Sequence, residues 1–509
     1  MSMASPNTMN AAETLLQAGA AQAIALECGD EKLSYAALRQ RVRRAAGAWR
    51  ALGLQGGERV VLFAPDSIEW VVAYLGVIWA GGVAIGVNPR LSMAELGPIL
   101  TESAVRFLWH EADNSAALSS LLTGMAQQAP APVMADQAAS PWTDALAQAG
   151  DIDAVAQDEQ APALWIGTSG TTGASKGVVH AQRVACQPHA FASGVLGLTA
   201  SDRLYASSKL FFAYALGNSL LAGLRAGATV ILDRQWPEPE RVLAMVRTHR
   251  PTIVFCVPTL YSRMLQTGVA GQLAGQGVRH FVSAGESLPA AVRSAWRDAT
   301  GLSIVSGYGT SETLCLMLYS DNDQGLLRPT PGTQLRFAPE ADPALPQRIW
   351  LHSGTVALGY WNRPQAQADD FQDGWYCPGD MFLRREDGWL EYAGRNDDML
   401  KISGRWVSTL WVEQALSHAA SQSVTQLACI GVPTPEGLTA LSLLVQAAPG
   451  QQATAAERIA AGIEALPTYR RPNWVHWVEA LPLTATGKLQ RARLRALHQT
   501  ALADDPVRT

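Results

Sequence analysis

A hydroxyl- and glycine-rich run, Thr168-Ser169-Gly170-Thr171-Thr172-Gly173-Ala174-Ser175-Lys176-Gly177, follows directly on the apolar stretch Ala163-Leu164-Trp165-Ile166. The apolar stretch has the length and composition of a buried strand. The pair therefore asks for a fold in which a sheet strand ends in a loop built to hold an anion. Glycines let such a loop adopt positive φ and bring its amides close to phosphate. The hydroxyls and Lys176 add donors and charge. The order is not that of a Walker A loop, which ends Gly-Lys-Ser/Thr before a helix; here it is Ser175-Lys176-Gly177. A solvated turn is the plain alternative for any such run, but donors this dense beside a lysine favour phosphate.

Apolar runs alternate with helical patterns along much of the chain. Arg59-Val60-Val61-Leu62-Phe63 precedes a helical pattern starting near Ser67. Thr229-Val230-Ile231-Leu232 precedes one over Glu238 to Thr248, and Thr252 to Val257 precedes another over Leu260 to Leu265. The alternation predicts an α/β protein with largely parallel sheets. The 509 residues allow at least two domains. The stretch from about 125 to 160, rich in Ala, Gln, Pro and Asp, reads as a surface connection. After about residue 395 the pattern changes to a small α+β module. The expected domains are a large N-terminal one of parallel-rich sheets with flanking helices, residues 1–396, and a small mobile C-terminal one, 397–509.

Composition excludes several classes. Hydrophobic residues make up 48% and charged residues 16%, with a net charge of -5, so neither disorder nor a basic nucleic-acid face is expected. The six cysteines are far apart and contain no Cys-x-x-Cys pair, which points to reduced thiols, no zinc site and a cytoplasmic location. The first basic residue is Lys32, so the charged start of a secretory signal is missing. Trp70 to Val87 carries no charge, near the length of a membrane span. Gly81-Gly82 breaks it, and a helix over 67–80 followed by a strand over 83–87 fits better.

Four further clusters follow the loop: Ser283-Ala284-Gly285-Glu286-Ser287-Leu288-Pro289, Gly307-Tyr308-Gly309-Thr310-Ser311-Glu312, Trp375-Tyr376-Cys377-Pro378-Gly379-Asp380 and Thr484-Ala485-Thr486-Gly487-Lys488. Each alone has an ordinary explanation as a turn or solvated loop. Together, in this order and with Arg395-Asn396-Asp397 between the last two, the set resembles the adenylate-forming superfamily of acyl-CoA synthetases, adenylation domains and luciferases. The resemblance spans roughly residues 30 to 495. Ser208-Lys209-Leu210-Phe211-Phe212-Ala213-Tyr214-Ala215-Leu216-Gly217-Asn218-Ser219-Leu220 is similar to the benzoate-CoA ligase branch, which includes anthranilate ligases.

The resemblance implies two half-reactions. ATP and a carboxylate give an acyl-adenylate and pyrophosphate, and the thiol of coenzyme A then displaces AMP. It also implies roles by position. Thr168, Ser169, Gly170, Thr171, Thr172 and Lys176 would hold the β- and γ-phosphates, with Mg²⁺ sharing their charge and Glu312 beside the metal. Thr310 would reach the α-phosphate or the substrate carboxylate. Tyr308, Gly309 and the Gly285-Glu286 backbone would border the adenine, Asp380 would accept from the ribose hydroxyls, and Arg395 would contact ribose or phosphate. Lys488 would neutralise charge developing at the α-phosphate. Asp397 matches a hinge, and Ser403, Gly404 and Trp406 would face coenzyme A.

The same resemblance borders the acid pocket with Tyr214, Ala215, Ser283, Ala284, Cys315 and Leu316. Cys315 stands where benzoate-using relatives often carry histidine, which makes the wall smaller and less polar. No lysine or arginine enters the pocket, so a monocarboxylic aromatic acid is expected, with a cyclic or short aliphatic acid as the alternative. Three departures stand out: Ser175 in place of a loop proline, Tyr214-Ala215 in place of Tyr-Gly, and Thr409 and Trp411 where proline and glutamate are usual. The last lies near the CoA-facing loop and keeps open an enzyme that loads a carrier protein. A nucleotide-binding protein without turnover fits poorly with Glu312, Asp380 and Lys488 together. The expected partners are the acid, ATP and coenzyme A, without nucleic acid or a membrane span; a homodimer is one option for the assembly.

Overall fold

The computed structural model describes residues 7–111, 115–125, 130–134, 140–168, 176–187, 190–337, 345–396, 399–402, 405–420, 423–434, 438–482 and 489–504. Two large sheets form the body. The seven-stranded sheet runs Gly359–Tyr360, Lys176–Ala181, Pro162–Thr168, Val83–Gly86, Arg59–Phe63, Phe107–His110 and Ala131–Met134. Its last five strands are parallel, whereas Lys176–Ala181 folds back antiparallel on Pro162–Thr168. The nine-stranded sheet runs Arg328–Pro329, Leu318–Ser320, Ile304–Tyr308, His280–Ser283, Ile253–Cys256, Arg203–Ala206, Thr229–Leu232, Ile24–Cys28 and Glu31–Ser34. The chain thus enters this sheet at Ile24, leaves to build the other, and returns at Arg203. A third, six-stranded antiparallel sheet carries Asp380–Arg384 and Leu390–Arg395.

The charge-free stretch near residue 70 forms the helix Ile68–Trp79 and the strand Val83–Gly86. Ser67 caps the helix, its Oγ accepting from Trp70 N at 3.1 Å. Every residue of that helix but Glu69 is buried. A helix apolar all round belongs in an interior, and this one packs on the helix Tyr35–Ala51. Among the described residues no helix is long and apolar enough to cross a membrane.

The region from 125 to 160 departs from expectation. It adds the strand Ala131–Met134, paired in parallel with Phe107–His110, and the helix Pro141–Gln148. Trp142 of that helix is 2% exposed and lies 4.6 Å from the Trp49 ring. The strand is short and contains Pro132, so it lacks a strand-like pattern; it is an edge strand, where proline is tolerated.

The C-terminal part is α+β, as expected. The hairpin Met399–Ile402 and Arg405–Ser408 leads into the helix Thr409–Ala419 and the sheet Val424–Pro433, Thr439–Ala447, Trp474–Trp477, with helices Gln452–Ala465 and Arg491–Asp504. Val407, Leu416, Leu441 and Leu443 give it a core of its own.

One buried contact ties the two large sheets together at the ends of their parallel strands. Asp66, after Arg59–Phe63, accepts from Leu210 N through both oxygens at 3.1 and 3.2 Å. Lys209, after Arg203–Ala206, donates to Asp233 O at 2.6 Å and to Gln235 O. The Asp233 carboxylate in turn takes Arg241 at 2.7 and 2.9 Å. Burial dominates at Asp66 and pushes its carboxyl from 3.8 up to about 7, against the pull of Lys209. The folded protein therefore keeps this proton over a range in which the unfolded chain has lost it. The stability gained is complete below the unfolded value and lost as pH rises through about 7. Asp66→Asn cannot ionise, so its thermal midpoint relative to wild type should climb between about pH 4 and about pH 7. Parallel curves for the two proteins across that range would contradict the assignment.

Candidate active site

Thr168 and Lys176 are a cross-strand pair at the ends of the hydroxyl- and glycine-rich run, and Lys176 N donates to Thr168 Oγ1 at 3.3 Å. Ser169, Gly170, Thr171 and Thr172 lie outside the described residues. The Lys176 ammonium sits 4.5 Å from the Tyr360 ring centre and 3.8 Å from Asp370 Oδ2. Tyr360 comes from the neighbouring strand, opposite Val178. Its hydroxyl reaches Glu312 Oε1 at 2.7 Å and Asp370 Oδ2 at 3.1 Å. Burial, reinforced by Glu312, holds this phenol far above its ordinary value, so it stays a neutral donor.

Glu312 sits on the single 3-10 turn Ser311–Thr313 that follows the strand Ile304–Tyr308. Three hydrogen bonds fix that turn. Thr310 N donates to Thr313 Oγ1 at 3.0 Å, Ala357 N to Glu312 O at 2.8 Å, and His180 Nε2 to Ser311 O at 2.9 Å. His180 is fully buried, and burial lowers it to about 4, so the ring is neutral and Nε2 carries the proton the carbonyl requires. The chain then reverses sharply. Leu314 has φ 58 and ψ -38, and Cys315 N bonds back to Thr313 O at 2.6 Å. This is a three-residue γ-turn with positive φ on a leucine, a strained conformation that the surroundings must impose.

Two glycines make room for it. A Cβ on Gly309 would lie 2.6 Å from Cys315 O, and one on Gly217 would overlap the Leu314 carbonyl oxygen. Gly217 belongs to a π-helical stretch, Leu216–Leu221, of the kind found mostly at functional sites. Asn218, buried beside Ser219 in that otherwise apolar run, accepts from Leu316 N at 3.2 Å and donates to Tyr214 O at 3.1 Å. The two sides of the expected acid pocket are thereby stapled together.

The structure places Tyr214, Ala284 and Leu316 in one apolar cluster, and Ala215 and Cys315 in an adjoining one. The Tyr214 hydroxyl donates to Val282 O at 2.9 Å, so this residue offers its ring as a wall. Cys315 and Leu316 are each 4% exposed, and burial holds the Cys315 thiol protonated. Ser283 does not join them. Side chains alternate along a strand, and Phe281 packs with Tyr261 and Trp296 on the opposite face from Val282 and Ala284. Ser283 shares the Phe281 face.

At the other end, Asp380 accepts from Tyr308 Oη at 2.8 Å and from Tyr392 Oη at 2.7 Å, one on each oxygen. A carboxylate has about four acceptor sites, so capacity remains for a second pair of hydroxyls. The Tyr308 ring packs edge-on to Phe382 at 5.1 Å. Arg395 is the cross-strand partner of Asp380, and a Cβ on Gly379 would meet its guanidinium at 3.1 Å. Gly285 leaves its strand at φ 91, and Glu286 accepts from Thr259 Oγ1 at 2.7 Å. Asp397, Ser403, Gly404 and Lys488 lie outside the described residues, as does the side chain of Trp406. Sequence reasoning had given no role to Tyr360, Asp370, His180, Tyr392 or Asn218. Only Asn218 carries a local signal, as an amide that with Ser219 interrupts a run of leucines.

Residues 16–361 match the AMP-binding enzyme profile, and residues 412–488 match the C-terminal domain of AMP-binding enzymes. The chain belongs to the AMP-binding enzyme family. A 3-hydroxybenzoate–CoA ligase of Aromatoleum sp. (strain CIB) is 37% identical, with 96% of this chain and 97% of the relative covered. A benzoate–CoA ligase of Thauera aromatica is 34% identical, covering 91% and 90%. Among solved structures, an anthranilate CoA ligase in complex with anthranoyl-AMP superposes with a TM-score of 0.91 at 30% identity, covering 98% and 99%.

In this AMP-binding enzyme the Gly309 contact is backbone on backbone, which no rotamer change relieves. Gly309→Ala should lower kcat/KM for adenylate formation at least about tenfold, with far-ultraviolet circular dichroism unchanged. Wild-type turnover in that variant would show that the turn tolerates displacement.

Proposed function

We propose that the protein is an ATP-dependent acid–thiol ligase that activates an aromatic monocarboxylate of the benzoate or substituted-benzoate type and passes it to coenzyme A. The observation that carries this reading is similarity along nearly the whole chain to ligases for benzoate and hydroxybenzoate. The wall of Tyr214, Ala215, Ala284, Cys315 and Leu316 supports it, being apolar and uncharged.

A carboxylate is a poor electrophile because its charge repels nucleophiles and oxide is a poor leaving group. Attack of a carboxylate oxygen on the α-phosphorus, with pyrophosphate leaving, removes both obstacles. The coenzyme A sulfur then attacks the acyl carbon, and AMP departs. Lys176 and the loop of Thr168, Ser169, Gly170, Thr171 and Thr172 hold the β- and γ-phosphates. Asp380, with Tyr308, Gly309, Gly285, Glu286 and Arg395 around it, holds the nucleoside. Thr310 reaches the α-phosphate or the carboxylate, and Lys488 neutralises the charge that builds there. Magnesium, when bound, spreads the polyphosphate charge, as oxygen ligands and phosphates suit it. Glu312 fits as its carboxylate ligand. It is 7% exposed, and the phenol bonded to it leaves its negative charge uncompensated by that contact.

Residues 1–396 and 397–509 form the two domains of this proposal, hinged at Asp397, which absorbs a torsional change between half-reactions. One arrangement brings Lys488 to the phosphates; the other brings Ser403, Gly404 and Trp406 to the pantetheine arm. The six cysteines, none of them in a disulfide, fit a reducing, cytoplasmic setting.

Pyrophosphate release across a panel of acids tests the substrate class: benzoate-type acids should lead, and preference for a dicarboxylate or a long-chain fatty acid would refute it. Lys488→Ala should cut adenylate formation by about 10²-fold or more, while transfer from a preformed aryl-adenylate to coenzyme A stays within a few-fold. Equal loss in both steps would remove Lys488 from its role.

A further inference from the structure

Asp370 is a carboxylate that neither the phosphate loop nor the magnesium glutamate explains, yet it touches the partners of both. It ends the short helix Pro364–Asp370. Its Oδ2 faces the Lys176 ammonium at 3.8 Å and the Tyr360 hydroxyl at 3.1 Å. Its Oδ1 faces the Arg348 guanidinium at 3.4 Å, and its carbonyl accepts from Cys377 N at 2.8 Å. Arg348 also donates to Cys377 O at 2.9 Å and Pro378 O at 3.1 Å. The carboxylate is therefore held in place from behind by the turn that leads to Asp380, and it presents its remaining oxygen to Lys176.

The contact with Lys176 has the geometry of a loose ion pair. At 3.8 Å it is longer than a hydrogen bond, and the lysine side chain is 32% exposed. Water and salt weaken such a pair, so a polyphosphate, which carries more charge and accepts from an ammonium at hydrogen-bonding distance, displaces it. Tyr360 couples this pair to Glu312. Its hydroxyl has a single proton and two acceptors, Glu312 Oε1 at 2.7 Å and Asp370 Oδ2 at 3.1 Å. While Lys176 sits against Asp370, that proton serves Glu312. Once Lys176 moves to phosphate, Asp370 keeps Arg348 on Oδ1 but loses the cation facing Oδ2, which becomes the stronger acceptor, and the proton can turn to it and free Glu312.

We infer that Asp370 is a positioning residue for the nucleotide: it holds Lys176 against the Tyr360 ring while the site is empty and yields it to the β- and γ-phosphates as ATP enters. The inference rests on reading Lys176 as a phosphate ligand. Holding costs affinity, because ATP must compete with Asp370 for the same ammonium. In exchange, Lys176 and Glu312 are kept at separate stations, so that the nucleotide does not meet a collapsed Lys176–Glu312 pair.

ATP titrated calorimetrically into the full-length protein, without carboxylic acid, tests this. Asp370→Asn keeps the shape and loses the charge. It should bind ATP about three- to tenfold more tightly than wild type, with or without Mg²⁺. General repulsion between Asp370 and phosphate would give the same sign, so the comparison is repeated on Lys176→Met. There Asp370→Asn should change ATP affinity less than about twofold, because nothing is left to hold. Equal tightening in both backgrounds overturns the inference in favour of simple repulsion. Unchanged or weaker ATP binding by Asp370→Asn alone also overturns it. A wild-type protein that fails to bind ATP overturns the inference and the ligase reading together, whereas wild-type binding with an inert Asp370→Asn overturns the inference alone.

Discussion

The reversal of the chain at Leu314 is the constraint from which the rest of the site hangs. It forces a leucine into positive φ and leaves Glu312 on one side of the turn and Cys315 and Leu316 on the other. The Glu312 carboxylate and the apolar wall of Cys315 and Leu316 are thus separated by two residues, Thr313 and Leu314, with little freedom. Strain of this kind persists only where neighbours over-determine it. Here the neighbours come from distant elements: His180 on Ser311, Ala357 on Glu312, Asn218 on Leu316, and two glycines that leave space for the carbonyls. A site that must bring a carboxylate oxygen within bonding distance of phosphorus depends on such fixed spacing.

Buried phenols do related work at two carboxylates of the site. Tyr308 and Tyr392 hold Asp380, and Tyr360 holds Glu312. Burial keeps Tyr308 and Tyr360 protonated, so each gives a carboxylate an oriented donor without neutralising it. A lysine or arginine in the same place would cancel the charge of the carboxylate it touches. The phenols orient the acids and leave them acidic.

Much of this was legible in the residues. The strands at Arg59–Phe63 and Thr229–Leu232 have the bounds their apolar runs suggested, and Ser67 caps the helix that the charge-free stretch called for. Glu312, Asp380 and Arg395 stand out as candidates in the sequence because each lies beside glycines and turn residues. What escaped had no local pattern. Ala131–Met134 is four residues long with a proline in it, and it becomes a strand only because Phe107–His110 has a free edge. Tyr360 and Asp370 are unremarkable in the sequence and gain meaning only from a lysine far upstream. Ser283 sits in the right motif but on the wrong side of its strand, since one residue of alternation decides the face.

The path of the chain through the nine-stranded sheet bears on its birth at the ribosome. Ile24–Cys28 pairs with Thr229–Leu232, and the hydroxyl of Thr229 reaches Ile24 O across 205 residues of sequence. At roughly 5–20 residues per second, that is on the order of 10–40 s during which the first strand has been made and its neighbour has not. Ile68–Trp79, apolar on every side, emerges in the same interval. The nascent chain therefore carries an unpaired strand edge and a sticky helix together, and escaping aggregation before Thr229 arrives is a demand on the cell that the finished enzyme no longer shows.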